Sequence, residues 1–306
     1  MTKRWQQLSC FALGLALLTL SSRAEAGAYT WEPGHFYLQL STSFSWANDK
    51  YDDNGNKSSI KVLKNNFGST SNKSDYQQLL SDLYWEVGIF KRVTFFGDFP
   101  FLSSARQHND GGNITYAASG ISDILTALRF GILEQPFALA LETRLTFASG
   151  NANRIIPTGQ GDTRGEIRLV ATKQLTQIPI YFDFEFGFTF RGHANFTSPI
   201  NGPTSVDYAP EMAIHGEVGG TVVRWKGMDR LLLVLSADWR QSTTNPADTL
   251  TFFSVTPAAS QQVWVNGSAM AYIIRNLGVN FRYGGMVAGE RLPVLQTVGG
   301  GIFGTW

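Results

Sequence analysis

The sequence predicts an all-β protein, a transmembrane antiparallel up-and-down β-barrel of about 12 strands preceded by a cleaved signal peptide. Three observations predict this fold class: an N-terminal export signal, repeated alternation of apolar and polar residues, and connections that alternate between short and long. The mean hydropathy is near neutral. A β-barrel produces such an average, because lipid-facing and lumen-facing residues alternate along each strand and cancel.

The export signal occupies the first 26 residues. Lys3 and Arg4 precede an apolar run from Leu8 to Leu20 that carries no charge, and Ala24-Glu25-Ala26 follows it. This order is typical of a secretory signal peptide cleaved after Ala26. The apolar run is shorter than the roughly 20 residues that a membrane-spanning helix needs. We therefore expect residues 1–26 to be removed.

The remainder, residues 27–306, is expected to form one barrel domain without a linker. Cys10 lies in the segment to be removed, and too few apolar residues precede it for a lipoprotein signal. The mature chain would then contain no cysteine, which excludes disulfides and a thiol active site. A formal net charge of +1 argues against a nucleic-acid partner.

Alternation is strictest between residues 180 and 191. No helix has a period of two, so this segment is a strand with one apolar face. In a soluble sandwich such a row would need a facing sheet, whereas in a bilayer the lipid covers it. The apolar row is Ile180, Phe182, Phe184, Phe186, Phe188 and Phe190.

Similar alternation marks about twelve segments, the even number that bacterial barrels require. They lie near 36–46, 79–89, 93–101, 121–132, 137–147, 163–172, 180–190, 211–222, 231–240, 263–273, 277–287 and 295–306.

Connection lengths give independent support, because outer-membrane barrels pair tight periplasmic turns with long outer loops. Both termini are expected on the periplasmic side, and Trp306 is an aromatic end of the kind seen in barrels handed to the insertion machinery. Short links fall at 90–92, 133–136, 174–179, 224–229 and 274–276. Long polar links fall at 47–74, 103–118, 148–162, 192–208 and 241–260, with a shorter last one near 288–293.

Three short segments resemble the outer-membrane barrel family assigned to the meta-pathway of phenol degradation. They are Gly120-Ile121-Ser122-Asp123-Ile124 with Leu128-Arg129-Phe130, Pro157-Thr158-Gly159 with Gly159-Gln160-Gly161-Asp162, and Trp85-Glu86-Val87-Gly88-Ile89. The resemblance implies a barrel and, loosely, transport of small organic compounds. It implies no functional residues.

The predicted lumen face is rich in charge, and its bases are all arginines, as suits bidentate pairing in a narrow interior. Because Arg144 and Arg168 lie beside acids on neighbouring strands, we expect ion pairs between strands. Two interpretations stay open: a ladder that fills the barrel, or a polar permeation path. The expected lumen-lining residues are Glu86, Asp123, Arg129, Glu142, Arg144, Glu166, Arg168, Asp183, Glu185, Arg191, Glu217, Asp238, Arg240 and Arg282, together with Asp98, Arg164 and Glu211.

No catalytic residue, metal site or cofactor is predicted, and the protein is not expected to be an enzyme. The His-x-Ser arrangement of barrel phospholipases does not occur, and His215 near Glu217 lacks a serine partner, so it is interpreted as a satisfied lumen histidine. The four histidines are scattered along the sequence, which argues against a metal cluster. A type I′ turn at Asn54-Gly55 explains the surrounding acidic run better than a calcium loop does.

These features favour a channel in the bacterial outer membrane for passive uptake of small organic compounds, hydrophobic or aromatic ones included. The alternative is a non-transporting structural or surface-interaction barrel that displays its outer loops. The expected partners are outer-membrane lipid, lipopolysaccharide, the barrel-insertion machinery and a small organic substrate.

A plug is expected to come from a loop, because residues 27–34 are too few for an N-terminal hatch. The long link 47–74 mixes lysines with Ile60, Val62, Leu63 and Phe67. It is interpreted either as a lid over the outer mouth or as a hairpin standing above the membrane.

Overall fold

The computed structural model describes residues 27–52, 54–59, 74–109, 114–150, 158–175, 178–198, 202–225, 228–243, 261–290 and 292–306. Within these ranges, no helix combines the length and the apolar character required for membrane passage. The strands are β1 (Phe36–Ala47), β2 (Asp49–Tyr51), β3 (Lys57–Ser59), β4 (Ser74–Phe90), β5 (Val93–Asn109), β6 (Ile114–Gly120), β7 (Ile124–Leu133), β8 (Ala138–Phe147), β9 (Arg164–Gln174), β10 (Ile180–Arg191), β11 (His193–Ser198), β12 (Gly202–Asp207), β13 (Glu211–Trp225), β14 (Met228–Ser242), β15 (Gln261–Ile274), β16 (Leu277–Glu290) and β17 (Gln296–Thr305).

The principal sheet closes on itself. Its order is β4-β1-β17-β16-β15-β14-β13-β10-β9-β8-β7-β5-β6, and β4 also pairs with β5. Strands β6 and β7 both pair with β5 and occupy one position of the wall, so the wall has twelve positions. Every neighbouring pair is antiparallel, and the β2–β3 and β11–β12 hairpins lie in long connections. The predicted closed antiparallel barrel of about 12 strands is confirmed.

The first and last strands close the wall. Strand β1 pairs with β4 on one side and with β17 on the other. Phe36 and Trp306 exchange two backbone hydrogen bonds, with N···O distances of 2.8 and 2.9 Å. Their rings stack with centroids 5.0 Å apart. The junction therefore leaves no free strand edge, as a wall surrounded by hydrocarbon requires.

The outer surface of the wall is apolar. On β10, Phe182, Phe184 and Phe186 are about half exposed, while Asp183 and Gly187 on the other face are buried. A continuous row of exposed phenylalanines is stable only in an apolar environment, which lipid supplies. The other residues of each strand face the interior, and their chemistry determines what the barrel can do.

The strand predicted near 121–132 is present as β7 but begins three residues later, because this position of the wall is interrupted. Strand β6 ends at Gly120 and β7 begins at Ile124. Pro100 on the neighbouring β5 has no N–H to donate, so the ladder breaks there, and Ser122 N donates to the Pro100 carbonyl at 3.0 Å. The predicted long link at 103–118 was also wrong in length, because β5 continues to Asn109.

The predicted type I′ turn at Asn54-Gly55 is also wrong. A type I′ turn needs positive φ at both central residues, but only Gly55 has it, with φ 75°. The Asp52 carboxylate instead accepts hydrogen bonds from the backbone N–H groups of Asn54 and Asn56, each at 2.8 Å. This local side-chain-to-backbone bonding competes with the tighter hairpin geometry.

Phe186→Arg should destabilise the folded barrel by about 2–4 kcal/mol, because it places a charge in the middle of the lipid-facing row. Phe190→Arg, close to the end of the same strand, should cost only about 0–1 kcal/mol, since the penalty falls towards the interface. Reversible unfolding in lipid vesicles measures both. Equal costs for the two variants would contradict this assignment of the membrane-facing surface.

Candidate functional site

A network of buried charges crosses one wall of the interior. Arg129 on β7 donates to Glu142 on β8 at 2.7 Å and to Glu86 on β4 at 3.3 Å. Glu142 is 1% exposed. Such a carboxylate is tolerated in the interior only when arginines satisfy it, and here Arg144 is its second partner, at 2.5 Å.

The network continues onto β9 and β10. Arg168 contacts Glu185 on β10 and donates to Glu166 at 2.7 Å, and Arg144 lies 3.7 Å from Glu185. Strand register aligns Glu142 with Arg168 and Arg144 with Glu166. Between β8 and β9 these aligned residues do not pair with each other; Arg144 contacts Glu142 and Arg168 contacts Glu166 within their own strands, because residues two apart share a face and the arginine side chain can reach along the strand.

A second network ties the long-loop end of the barrel together. Arg191 on β10 donates to Asp162 at 2.8 Å and to Glu211 on β13 at 2.7 Å, and Asp162 is fully buried. Arg164 lies 3.5 Å from Asp123, whose carboxylate also accepts backbone N–H groups of the loop at 150 and 160. Asp123 thus holds a loop in place at the break between β6 and β7.

Tyr208 covers this second network. The Arg191 guanidinium stacks on its ring, 3.7 Å from the centroid. Burial raises the pKa of the Tyr208 hydroxyl, so it stays protonated and can donate to the Gln160 carbonyl, 3.4 Å away. The sequence analysis missed Asp162 and Tyr208 because both lie in segments that it assigned to loops.

His215 on β13 is fully engaged by acids. Its Nδ1 lies 2.7 Å from Asp238 on β14, and its Nε2 lies 3.8 Å from Glu217. Asp238 also accepts from Asn266 at 3.1 Å, and Glu217 accepts from the Tyr181 hydroxyl at 2.6 Å. These contacts agree with a satisfied interior histidine.

The structure places His215 beside two acids of the neighbouring strand β10, which the sequence positions did not indicate. Ligand atoms of Asp183, Glu185 and His215 lie within 4.8 Å of one another. We assign no metal to this group, because Arg168 pairs with Glu185 and Asp238 occupies Nδ1 of the histidine.

Two of the predicted lumen arginines lack an ion-pair partner in the part of the chain that the structure describes. Arg240 and Arg282 have no carboxylate within 4.0 Å among the described residues. Arg282 is exposed even though Phe281 and Tyr283 on either side face outward. A Cβ built on Gly299 would lie 3.0 Å from both Arg282 Nε and Ser43 Cβ, which places the guanidinium on the inner surface.

Small and uncharged side chains flank Arg282 on the neighbouring strands, and the Asp98 carboxylate interacts with it electrostatically without forming an ion-pair contact. Strands β1 and β14–β17 present them at the inward positions, opposite the charged wall formed by β7–β10. The interior is therefore asymmetric, with bulky ion pairs on one side and small residues on the other. The small inward residues are Ser41, Ser43, Ser236, Asn266, Ser268, Asn280, Gly299 and Gly301.

An aromatic belt lines the interior near the short-turn end, and the sequence analysis missed it. Its rings come from β15, β17, β1, β4 and β5, in that order around the wall: Tyr272, Phe303, Tyr37, Tyr84 and Phe96. Successive centroids are 5.1, 6.0, 6.0 and 6.4 Å apart. The Arg129 guanidinium lies 5.1 Å from the last ring, which joins the belt to the charged wall. The five rings share the inward parity, which was the signal available in the sequence.

The N-terminal segment 27–34 corrects a prediction. We expected any plug to come from a loop, but this segment lies against inward-facing side chains at the short-turn end. Trp31 donates from its backbone N to Thr94 at 2.8 Å and from Nε1 to Glu86 at 2.7 Å. The Tyr29 carbonyl accepts from Arg129 at 3.1 Å. Eight residues reach across because they run along the mouth of the barrel rather than filling its length.

The described part of the first long link packs on the opposite rim. Tyr51 is buried against Met286 and Leu292, and its backbone N donates to the Leu292 carbonyl at 2.7 Å. The β2–β3 hairpin predicted as one interpretation is present. The apolar cluster from Ile60 to Phe67 lies outside the described residues, so the lid interpretation stays a prediction.

The closed wall, apolar exterior and charged interior define a barrel of the outer-membrane type. No protein-family profile and no curated protein matches the chain. An outer membrane channel from Pseudomonas putida F1 has a similar structure, with TM-score 0.67, 13% identity, and coverage of 93% of this chain and 100% of that chain. At this identity the similarity shows the fold, and the phenol-degradation family assignment stays a prediction.

Two further solved structures are less similar. The translocator domain of the autotransporter NalP from Neisseria meningitidis has TM-score 0.48 and 7% identity, covering 98% of this chain and 97% of that chain. The NanC porin has TM-score 0.47 and 6% identity, covering 86% of this chain and 98% of that chain.

Arg168→Met and Glu185→Gln should each destabilise the barrel, Arg168→Met by about 3–5 kcal/mol because it leaves buried carboxylates without a partner. The double variant should cost clearly less than the sum of the two, with coupling of at least about 1 kcal/mol. The exposed turn pair Arg224–Asp229 is the matched control and should show almost no coupling. A double-mutant cycle in equilibrium unfolding measures both, and additive costs at Arg168 and Glu185 would contradict the network.

Proposed function

We propose that this protein is an outer-membrane channel for small solutes, exported by the signal at residues 1–26. The observation that carries the proposal is Arg282: its side chain is on the inner surface of a closed barrel and is still exposed. An interior charge without an ion-pair partner is stable only where water reaches it. The wall around it therefore borders a water-accessible path.

The asymmetry of the interior explains how a narrow barrel can remain passable. The arginines and glutamates on β7–β10 neutralise one another in ion pairs and fix this side of the interior. The wall of serine, asparagine and glycine leaves volume next to it. A solute would move along the small-residue wall, past the Arg240 and Arg282 guanidinium groups, which attract anions and polar oxygens.

The aromatic belt favours small aromatic compounds among the solutes. The half-buried rings of Tyr37, Tyr84 and Tyr272 can bind planar apolar groups by stacking, while the buried rings of Phe96 and Phe303 hold these tyrosines in place. This agrees with the substrate class that the family resemblance implies. Because the belt lies near the short-turn end, a solute entering from the long-loop end would meet it last.

The N-terminal segment favours a second candidate, a non-transporting barrel. It crosses the same end of the interior and bonds to several wall strands, so it narrows the mouth. In this candidate the barrel holds its outer loops in place for surface interactions. Conductance separates the two, because a closed barrel passes no ions.

The purified protein should give discrete conductance steps in planar lipid bilayers. Arg282→Glu should lower the anion-to-cation permeability ratio at least about twofold in 0.1 M salt and less in 1 M salt, since the Debye length shortens from about 10 Å to about 3 Å. Arg224→Glu, at an exposed turn, is the matched control and should leave the ratio unchanged. A folded protein that never conducts would favour the non-transporting candidate.

Phe303→Ala should reduce the permeability of benzoate relative to hexanoate, because it removes the buried ring that stacks on Tyr37 and packs edge-on against Tyr272, and so loosens both rings of the belt. A loss of about threefold is expected if one stacking contact contributes about 0.5–1.5 kcal/mol. Phe101→Ala, on the outer surface, serves as the control. Reversal potentials under bi-ionic conditions measure the ratio, and an unchanged ratio would remove the belt from solute selection.

A further inference from the structure

We propose that signal-peptide removal creates an interior ion pair: the new α-ammonium group of Gly27 binds the Asp183 carboxylate and anchors the N-terminal segment in the barrel. The inference rests on the proposed cleavage after Ala26. If the ion pair anchors the segment, residues 27–32 dock in the barrel only after cleavage. The segment then narrows the short-turn mouth only in the mature protein.

The backbone of Gly27 already lies against this carboxylate. A Cβ built on Gly27 would be 1.7 Å from Asp183 Oδ1 and 2.1 Å from Thr172 Oγ1. The Gly27 nitrogen is bonded to the same Cα, so it lies within about 4 Å of that carboxylate oxygen. A small rotation brings an ammonium at this place into ion-pair range.

Asp183 is a buried carboxylate without a cation. It is 6% exposed and accepts a hydrogen bond from the Thr172 hydroxyl. No Arg, Lys or His nitrogen lies within 4.0 Å of it in the part of the chain that the structure describes. The buried Glu142, by comparison, has two arginine partners. An unpaired buried carboxylate is costly, so a cation delivered to Asp183 is strongly stabilising.

The groups around Asp183 suit a cation from the N-terminus. Glu185 on the same strand and Glu217 on β13 add negative charge, and the basic group nearby is His215, which Asp238 and Glu217 already engage. Tyr181 on β10 is the remaining titratable neighbour. The local balance is therefore acidic, and an ammonium would lower the repulsion among the carboxylates.

Gly27 and Ala28 both match the part of the wall next to Asp183. Gly27 has φ 77°, a conformation that suits glycine, and a side chain would collide with Asp183. The Ala28 backbone N donates to Thr172 Oγ1 at 2.7 Å, and the Ala28 methyl packs against Ala138, Ala140 and Val170. The wall thus holds the Gly27 backbone next to the Asp183 carboxylate.

The charge appears only on hydrolysis. A signal peptidase uses one water to break the bond between the Ala26 carbonyl carbon and the Gly27 nitrogen: the hydroxyl goes to the carbon and a proton to the nitrogen. The amide nitrogen is neutral before this step. Afterwards the amine takes up a further proton from solvent, since an α-amino group has a pKa of about 8.

The first test measures the pKa of the α-amino group in protein isolated from outer membranes, after N-terminal sequencing. Sequencing must give Gly27 first; another first residue refutes the cleavage after Ala26 and the ion pair with it, while leaving the channel proposal intact. The midpoint of the pH profile for acylation of the amine is the readout, because steric shielding alone only lowers the rate and desolvation lowers the midpoint, whereas an ion pair with a carboxylate raises it. We expect the midpoint to lie above that of Asp183→Asn, so that the wild-type amine reacts about tenfold more slowly at pH 8.

Asp229→Asn, which removes an exposed carboxylate at the same end of the barrel, is the matched control and should behave as the wild type. Equal midpoints for wild type and Asp183→Asn, with Gly27 confirmed as the first residue, would overturn the ion pair while leaving the channel proposal intact.

A second measurement does not depend on a variant of Asp183. The unfolded mature protein is acetylated at its α-amine near neutral pH, where the lysines stay protonated, and is then refolded. Amide hydrogen exchange of residues 28–32 should be at least about tenfold faster than in unmodified refolded protein, because the charge that anchors the segment is lost. Equal exchange would overturn the proposal.

Discussion

Backbone hydrogen bonding in a medium without water is the constraint on which the rest of this structure depends. Every N–H and C=O in a lipid-embedded wall needs a partner, so an antiparallel sheet must close. Here the first strand pairs with the last, and the terminal residues Phe36 and Trp306 complete the junction. Closure then divides each strand between two environments, with alternate residues in lipid and in a confined interior.

That interior is where the chemistry of the sequence is concentrated. Charges are costly there unless paired, and the structure pairs most of them on one wall: Arg129 with Glu142, Arg168 with Glu185, Arg191 with Asp162. The opposite wall has small side chains and the exposed Arg282. An arrangement with ion pairs distributed evenly would fill a barrel of this size, whereas an asymmetric one leaves room for water. The proposed channel follows from this asymmetry.

Local patterns predicted the wall well. The alternation of residues 180–190 is set by the strand itself, so its lipid and interior faces could be read without any tertiary information. The inward arginines could be named for the same reason. Their partners could be assigned only to a strand: register places Glu142 between Arg129 and Arg168, and its carboxylate pairs with Arg129 and with Arg144 of its own strand instead of with Arg168.

Contacts between distant parts of the sequence were not predictable. Ala28 bonds to Thr172, 144 residues away, and nothing in the sequence of the N-terminal segment indicates where it lies. Asp162 and Tyr208 have no strand periodicity around them, yet they complete the outer charge network. The aromatic belt was predictable only in part. The inward parity of each ring could be read from the sequence, but their common level in the barrel depends on strand register.

Water access to the small-residue wall is the central claim, and thiol labelling tests it most directly. The chain after Ala26 contains no cysteine, so single cysteines can be introduced at Ser268 on the small-residue wall, at Ala140 beneath the charged wall and at Val265 on the outer surface. A hydrophilic, membrane-impermeant thiol reagent should label Ser268→Cys in vesicles at least about tenfold faster than the other two, because only that position borders water. If Ser268→Cys reacts as slowly as Ala140→Cys in correctly folded protein, the interior is filled and the account of an open path is contradicted.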